Sequence, residues 1–516
     1  MNALCYVSLL LWAISLTQCS RILGVFPSSG YSQFILCEKL MAELARRGHE
    51  VTVISAYKPK EDITNYKTIL TDGLVKETEE NMFLLEDITA LNSIVFFYKF
   101  GLFLTEYILS HQEVQGVIHS NETFDLVIVE QFGNEAHMGF SRHFGAHLIL
   151  FSSIGLTEWN SHLVGNTRLL SNEPILFTPY TNRMSFFQRL HNTIINILDT
   201  LYKHLFVFPQ QQELLTKYFP NKIHLDEIIY NASLLLLNSH PSTNHPSFLT
   251  SSIVEIGGFH ITSKSLPGDI QKSLDEAKDG AILFSMGSNL KMSHLPNHTL
   301  NAILNVFSKL KHRVLWKFDG SSIQSKPNNV LISKWLPQSD ILAHPNTVAF
   351  VTHGGLLSTT EAVFYGVPMV GIPIFGDQKM NVARSVQKGI AVYLPFKGLS
   401  EVTLYGAISE ILNNPKYKQN SKRYSDILRD RPVKPLDLAT YWIEYVIKHG
   451  GASHLRNASL DLNWFQLYLL DVVGVLALLV VVLYFFIKLL CVKIYVILKN
   501  NTKNKSSKDR ATKKRN

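Results

Sequence analysis

The chain has 516 residues and a formal net charge of +8. Ten basic residues and one acid lie after Ile487, so the tail carries the positive charge and the remainder is close to neutral. This distribution gives no reason to expect nucleic-acid binding. The length favours two domains with large cores. Only four cysteines are present, and Cys37 alone is distant from both ends, so the sequence predicts neither a structural disulfide nor a cysteine metal site.

The N-terminus has the pattern of a targeting segment. Residues 4–16 form the apolar run LCYVSLLLWAISL, which is too short to span a bilayer. Small or polar residues follow, and Arg21 then opens an apolar strand. The pattern predicts a secretory signal over residues 1–20.

Two long segments follow in which apolar strands alternate with helices. Residues 21–250 begin with the strand RILGVFP, and residues 251–450 contain the strand GAILFSMGS. Such alternation predicts two α/β domains with parallel, doubly wound sheets. The Pro-, Ser- and His-containing stretch near 240–265 is the expected connection, and the helix after Pro435 is expected to close the second domain. The other predicted elements are helices at 33–47 and 298–311 and strands at 50–55, 124–129, 147–152, 313–317, 329–332 and 348–352.

One apolar segment has several interpretations. Residues 93–110, SIVFFYKFGLFLTEYILS, are rich in aromatic side chains but too short and interrupted to span a membrane. The segment could line a hydrophobic pocket, lie against a membrane or pack in a core, and the sequence leaves these three interpretations open.

The C-terminus predicts a membrane anchor. After a juxtamembrane segment at 451–466, the uninterrupted apolar run Val472–Ile487 predicts a transmembrane helix over residues 467–490. The basic residues of the tail, 491–516, predict that it faces the cytosol. Its last four residues, KKRN, resemble a dilysine retrieval signal of endoplasmic-reticulum membrane proteins.

These ends together predict a single-pass type I protein of the endoplasmic reticulum, with its bulk in the lumen. Sequons in the predicted lumenal part make four asparagines candidate glycan acceptors: Asn121, Asn231, Asn297 and Asn457.

The stretch from Trp335 to Gln378 carries the strongest functional pattern. The strand VAFVT runs into His353-Gly354-Gly355, and a helix is expected to begin at Ser358. A glycine turn before a helix lets backbone N–H groups approach a phosphate, where the helix dipole favours negative charge. A second strand, VPMVGIP, delivers Asp377 to the same edge of the sheet, where open α/β sheets bind ligands.

The full string W-x-P-Q, H-G-G-x-x-S-x-x-E, G-x-P and D-Q resembles the signature of the family 1 UDP-glycosyltransferases. The variant HGGLLSTTEA is similar to that of invertebrate members, and the resemblance extends over essentially the whole chain. It implies the GT-B fold, α/β with two facing Rossmann-like domains, the first holding the acceptor and the second the UDP-sugar. It also implies glucose as the donor sugar rather than glucuronic acid, small lipophilic acceptors and a role in detoxification.

The resemblance assigns the donor site residue by residue. Trp335 would stack on the uracil and Gln338 would bind ribose or base. Glu361 would accept hydrogen bonds from the ribose, unless it serves as a capping-box acid. Sugar binding is implied for Asp377 and Gln378. Contacts to the diphosphate are implied for Gly287, Ser288, His353, Gly355, Leu357 and Ser358. No cofactor or metal ion is expected, because N–H donors, His353 and the helix dipole can stabilise the leaving diphosphate.

The acceptor side departs from the family pattern. Family members invert the sugar by direct displacement, using a first-loop histidine as base and an acid that orients it. The matching positions here are Gln33, whose amide has no usable basicity, and Glu130. Glu130 could act as the base directly or through water on acidic hydroxyls. Alternatively, the protein is a weakened pseudoenzyme that binds UDP-sugar and modulates active relatives.

A third interpretation, that another histidine is the base, is disfavoured because residues 21–48 contain none. A non-catalytic lumenal lectin-like or lipid-carrier membrane protein is the alternative from another class. The expected partners are UDP-glucose, a lipophilic acceptor and the membrane, with homo- or hetero-oligomerisation left open.

Overall fold

The structure is a computed structural model that describes residues 19–79, 82–288, 290–320, 323 and 326–512, with side chains up to residue 504. The predicted signal at 1–20 therefore lies almost wholly outside the described residues, as does the terminal KKRN. The chain divides into two units, Met1–Asn457 and Ala458–Asn516.

The first unit contains a seven-stranded sheet with strand order β3-β2-β1-β4-β5-β6-β7, in which every pair is parallel. Strands such as LVIVE and LLLL are buried along their whole length. A parallel sheet is covered on both faces, which is why these strands are continuous apolar runs. The strands are β1 Arg21–Phe26, β2 Glu50–Ser55, β3 Tyr66–Leu70, β4 Leu126–Glu130, β5 His147–Ser152, β6 Leu234–Leu237 and β7 Ile253–Glu255.

A second, six-stranded sheet follows in the same unit, with order β10-β9-β8-β11-β12-β13 and parallel pairing throughout. Both sheets are doubly wound, as the sequence predicts. The strands are β8 Ala281–Ser285, β9 Arg313–Lys317, β10 Val330–Ser333, β11 Thr347–Thr352, β12 Met369–Gly371 and β13 Ala391–Tyr393.

The described helices of the first unit are α1 Tyr31–Arg46, α2 Leu74–Glu77, α3 Ala90–Ser110, α4 Gln112–Ile118, α5 Gly139–Phe144, α6 Phe186–Tyr202, α7 Phe208–Tyr218, α8 Leu225–Ile228, α9 Gly268–Asp275, α10 Asn297–Lys309, α11 Gln338–Ala343, α12 Leu356–Tyr365, α13 Gln378–Gln387, α14 Glu401–Asn413, α15 Pro415–Arg429 and α16 Pro435–Lys448. A π-helical turn, Lys203–Val207, joins α6 to α7.

The boundary between the two sheets differs from the expectation. Strand β7 pairs with β6, so the predicted boundary at residue 250 falls inside the first sheet. The chain crosses to the second sheet between Glu255 and Gly268. The reason is that the short apolar segment at 253–255 buries its side chains by adding to an existing sheet edge, a pairing that composition alone does not reveal.

The position of helix α16 also differs from the prediction. Instead of closing the second domain, it packs against α1 and β5 of the first. Its residues Ala439, Ile443 and Val446 share a buried cluster with Ile22 and Phe26. The helix has one apolar face, and that face covers the first sheet.

Helix α3 shows which interpretations of the 93–110 segment hold. By length and composition it could span a membrane, but half of its apolar window is buried within the protein. Phe96, Phe97 and Phe100 line a cavity, whereas Leu104 and Ile108 belong to the core of the first sheet. The segment therefore combines core packing with pocket lining.

The second unit consists of two described α-helices, α17 Trp464–Leu467 and α18 Leu470–Thr512. Within Leu470–Asn504, an 18-residue apolar window has a mean hydropathy of 2.9 and none of it is buried, so the helix is a candidate membrane span. It begins three residues after the predicted start at 467. It also continues through most of the predicted tail, because that basic segment contains neither proline nor glycine to end a helix.

Candidate active site

A large cavity lies where both sheets reverse their strand order. The reversal occurs between β1 and β4 in the first sheet and between β8 and β11 in the second. Ligands of doubly wound sheets bind at the carboxyl ends of strands at such points. The cavity has a volume of about 610 Å³, and the loops after β1, β8 and β11 all contribute to its wall.

The structure brings all but one of the predicted site residues to this cavity. The residues on its wall are Gln33, Gly287, Ser288, Trp335, Gln338, His353, Gly355, Leu357, Ser358, Glu361, Asp377 and Gln378. Glu130 is the exception, and it is completely buried.

His353 lies between two glycines at the end of β11. A Cβ at Gly287 would come within 2.5 Å of the ring's Cε1, and one at Gly355 within 2.5 Å of Nε2. Burial, together with the charge of Lys317, lowers the pKa of His353 to about 3. The imidazole is therefore neutral at physiological pH, so it can donate one hydrogen bond without carrying a charge.

Helix α12 begins earlier than predicted. Gly355 is its N-cap and Leu356 its first residue, so Ser358 lies in the first turn and is already helical. This places Glu361 in the second turn, which rules out the capping-box interpretation. The helix starts early because Gly354, with φ of +78°, makes the turn that a residue with a side chain would resist.

Glu361 is held by a polar network on this helix. The amide Nε2 of Gln338 donates to Glu361 Oε2 at 2.6 Å and to Ser358 Oγ at 3.0 Å. Burial raises the pKa of Glu361 to about 7, and the bond from Gln338 partly offsets that rise. In this state Gln338 therefore positions Glu361, and its nitrogen must change partner to bind a ribose or base.

Trp335 is half exposed and presents its ring to the cavity. Lys317 Nζ lies 4.9 Å and Lys60 Nζ 5.6 Å from the ring centroid. Tyr31 meets the ring edge-on at 5.3 Å. Since Tyr31 and Lys60 belong to the first domain and Trp335 to the second, the Trp335 ring is in direct contact with the first domain.

Asp377 and Gln378 have partners of their own. Asp377 Oδ2 accepts from Asn381 Nδ2 at 2.6 Å, and burial raises its pKa. Gln378 Oε1 accepts from the backbone N–H groups of Ile374 and Phe375, at 2.8 and 3.2 Å. Gln378 therefore shapes the loop after β12, which leaves its amide nitrogen as the group able to bind a ligand.

Gln33 lies in the first turn of α1, at the cavity wall. Its Oε1 accepts from Ser32 Oγ at 3.0 Å and folds back against the Cα of Gly30, where a Cβ would collide with it. The amide faces the cavity but has no usable basicity, as the sequence predicts.

Glu130 is not at the cavity wall, which corrects the expectation that it acts directly on a bound hydroxyl. It ends β4 beneath α1, and burial raises its pKa to about 7. An interaction with Ser153, which lines the cavity, partly offsets that rise. Among the described residues, no hydrogen bond of good geometry reaches the carboxylate oxygens of the Glu130 side chain, whereas its backbone carbonyl accepts from Asn134 Nδ2 at 3.0 Å.

Several wall residues were not anticipated. His260 lines the cavity, with Nε2 4.0 Å from Glu361 Oε1, and burial lowers its pKa to about 4. Lys317 Nζ donates to Gly287 O at 2.8 Å. Lys317 ends β9, a predicted strand, so its position at a carboxyl end was the available signal. His260 follows β7, which was not predicted as a strand, so no such signal existed for it.

The far end of the cavity is aromatic. The rings of Phe97 and Trp159 pack at a tilt of 30° with centroids 4.1 Å apart, and Phe132 and Phe177 pack around them. All four side chains lie on the cavity wall, opposite in character to the polar end around His353 and Glu361.

Comparison with known proteins assigns this arrangement to a family. The family model described as "UDP-glucoronosyl and UDP-glucosyl transferase" matches residues 22–505. The chain belongs to the UDP-glycosyltransferase family. UDP-glucosyltransferase 2 of Dactylopius coccus is 36% identical over 481 residues, covering 92% of each chain. UDP-glucuronosyltransferase 2B17 of Rattus norvegicus is 31% identical, covering 89% of this chain and 90% of that protein.

Solved structures support the fold of this UDP-glycosyltransferase. The glycosyltransferase VinC, in complex with dTDP, superposes with a TM-score of 0.58 at 17% identity, covering 83% of this chain and 100% of that one. The protein is therefore a UDP-glycosyltransferase with the GT-B fold, and it uses a UDP-sugar as donor. Both conclusions confirm the expectation from the sequence.

Proposed function

We propose that this enzyme transfers glucose from UDP-glucose, with inversion, to hydroxyl groups of small lipophilic acceptors. The observation that carries the proposal is one cavity with two chemically different ends. The end around Trp335, His353 and Glu361 supplies a stacking plate and polar donors, and the end around Phe97 and Trp159 supplies an aromatic wall.

The donor sugar is inferred from similarity. The Dactylopius coccus relative, at 36% identity, is named a glucosyltransferase, and the rat relative, at 31%, a glucuronosyltransferase. The invertebrate-like HGGLLSTTEA string and the higher identity both favour glucose.

In the proposed reaction the acceptor oxygen attacks the anomeric carbon and the bond from that carbon to the UDP oxygen breaks. The helix N-terminus at Gly355 and the neutral His353 stabilise the charge that develops on the leaving diphosphate. We therefore predict that the reaction requires no metal ion.

The acceptor proton needs a route, because Gln33 cannot take it. We propose a relay in which the acceptor hydroxyl gives its proton to Ser153 Oγ while Ser153 gives its own to Glu130. Glu130, with a pKa of about 7, is suited to this role near neutral pH. The relay favours phenols and other acidic hydroxyls, which lose their proton readily.

The test is a turnover assay of the full-length chain in detergent with UDP-glucose, UDP-glucuronic acid and UDP-galactose. Phenols, flavonoids and steroids serve as acceptors, and NMR of the product reads the anomeric configuration. Turnover with UDP-glucose and inversion supports the proposal. UDP binding without turnover on any acceptor supports the pseudoenzyme alternative, and turnover with another donor only overturns the assignment of glucose.

The location in the cell is a proposal as well. A predicted signal at 1–20, a candidate span at Leu470–Asn504 and a basic tail support a type I membrane protein of the endoplasmic reticulum, with both domains in the lumen. Asn121, Asn231 and Asn297 are exposed and Asn457 is partly exposed, so all four remain candidate glycan acceptors.

A further inference from the structure

Helix α6 has the reverse of the usual amphipathic arrangement. Its polar residues Asn192 and Asp199 are buried, and so is Lys203 in the π-helical turn that follows. Its apolar residues point outward. Those exposed by 39% to 76% are Phe186, Phe187, Leu190, Ile194, Ile197, Leu198, Leu201, Leu205 and Phe206, which we call the outward stripe.

The orientation of the helix is fixed by its buried polar side. Asn192 Oδ1 accepts from the N–H of Ile175 at 2.8 Å, and its Nδ2 donates to the carbonyls of Leu170 and Glu173 at 3.0 and 3.1 Å. Rotating the helix to bury the stripe would break these bonds and expose the apolar core contacts of Ile195. The outward stripe is therefore specified by the fold and is not an accident of a loose helix.

The stripe is long and regular. Positions 187, 190, 194, 197, 198, 201 and 205 repeat at helical spacing, so they form one continuous face. Exposed apolar surface of this extent marks an interaction site. The members at its centre, Ile194, Ile197, Leu198 and Leu201, are all aliphatic and supply no hydrogen-bonding groups of the kind that a protein interface usually combines with its apolar core.

Charge and connectivity favour a lipid surface as the occupant. Over residues 183–206, all of them described, the only acid is the buried Asp199, whereas Arg183 is exposed. The first unit ends at Asn457 and the candidate span begins at Leu470, so the chain between them reaches roughly 40 Å at most. The first unit therefore stays near a bilayer whenever the span is inserted.

We propose that the outward stripe of α6 docks into the surface of the phospholipid bilayer in which Leu470–Asn504 is inserted. Interfacial helices bind in this way, with the apolar face at the boundary between headgroups and acyl chains. The docking gives the first domain a membrane contact that is independent of its anchor.

The consequence for catalysis rests on the proposed function, whereas the docking itself does not. Asn192 of α6 accepts a hydrogen bond from the backbone N–H of Ile175. The two residues that follow Ile175, Leu176 and Phe177, line the aromatic end of the cavity. A docked α6 therefore keeps the acceptor end of the cavity next to the lipid phase, where lipophilic acceptors concentrate.

The experiment places a fluorescent bimane on single cysteines of the full-length chain, reconstituted in bilayers that contain doxyl-labelled phospholipid. Cys5, Cys19 and Cys491 are replaced by serine, and the buried Cys37 is retained. The probes are Ile197→Cys and Leu201→Cys on the stripe, and the matched control is Gln419→Cys, an exposed polar position on α15.

Bimane at Ile197 and Leu201 is expected to lose most of its fluorescence to the doxyl lipid, while bimane at Gln419 retains it. Equal, weak quenching at all three positions overturns the proposal. A blue shift at Ile197 without lipid quenching, together with cross-linking between chains, also overturns it and assigns the stripe to a second copy. None of these readouts depends on UDP binding or turnover.

Discussion

Gly287 and His353 are in direct contact across the ends of β8 and β11. A Cβ at Gly287 would lie 2.5 Å from His353 Cε1 and 2.8 Å from Nε2, and Gly287 has a φ of +80°. The glycine therefore provides the space in which the imidazole sits. The two residues come from separate loops, and their contact sets where the ring points into the donor end of the cavity.

Replacing Gly287 with alanine is expected to displace His353 and to weaken UDP binding by about tenfold or more, as calorimetry on the full-length protein would measure. The matched control is Gly406→Ala, because a Cβ at that helical position meets no atom within 4 Å. Unchanged UDP affinity in Gly287→Ala would show that the position of His353 does not matter for the nucleotide.

Trp335→Ala tests the stacking plate. Base stacking on an aromatic side chain contributes about 1–3 kcal/mol, so UDP affinity is expected to fall by roughly tenfold to a hundredfold. The melting temperature should change little because the ring is 50% exposed. Tyr441→Ala, at an exposed aromatic residue on α16, is the control. Full affinity in Trp335→Ala would remove the plate from the donor site.

Gln33→His is expected to raise turnover by about tenfold or more on weakly acidic alcohols, because it supplies a general base at the cavity wall. Gln33→Asn, which keeps an amide, should give no gain. The gain should shrink when Glu130→Gln is added to Gln33→His. A wild-type protein that is already fast, with no change in Gln33→His, would show that the base lies elsewhere.

Ser153→Ala tests the relay without removing the buried acid. On phenols, turnover is expected to fall by about tenfold or more, with the Michaelis constant for UDP-glucose unchanged. The control is Ser93→Ala, at a serine of α3 that also lines the cavity. Full activity in Ser153→Ala would exclude the relay while leaving the UDP site intact.

The raised pKa of the buried Glu130 is expected to make the stability of the protein depend on pH. Burial raises its pKa from 4.5 to about 7 in the folded protein. Between these values the folded state binds more protons than the unfolded state, so the free energy of unfolding falls as pH rises through the window. Glu130→Gln removes this penalty. The variant should melt above the wild type near pH 8, and the difference should shrink towards pH 4.

The control for that measurement is Glu227→Gln, at an exposed carboxylate on α8. A difference between Glu130→Gln and wild type that is the same at both pH values would mean that packing, and not ionisation, causes it.

Much of the fold could be read from the sequence. Runs such as LVIVE and LLLL are apolar on both faces, and a parallel sheet covered by helices is what buries both faces. The convergence of the residues between Trp335 and Gln378 on one cavity could also be predicted, because the turns at the carboxyl ends of adjacent parallel strands lie at the same edge of the sheet.

Other features depended on contacts between distant segments. The place of β7 in the first sheet, the packing of α16 on α1 and the burial of Glu130 were missed or predicted differently. The strand β7 has only three residues, which is too few to show a hydrophobic period. The sequence of an amphipathic helix such as α16 shows that it has an apolar face, but it does not show which surface that face will pack against. Similarly, the motif did not show that Gln338 contacts Glu361 or that His260 approaches it.

Local pattern by itself thus determined the two parallel sheets, the glycine turn before α12 and the absence of a histidine at position 33, because each depends on residues close together in the chain. Tertiary structure alone decided that Glu130 is buried, that His353 fits between Gly287 and Gly355, and that the apolar face of α6 points outward. Those outcomes depend on which surfaces pack together once the chain has folded. The burial of a group, its pKa and its contacts are set by residues that are distant in the sequence.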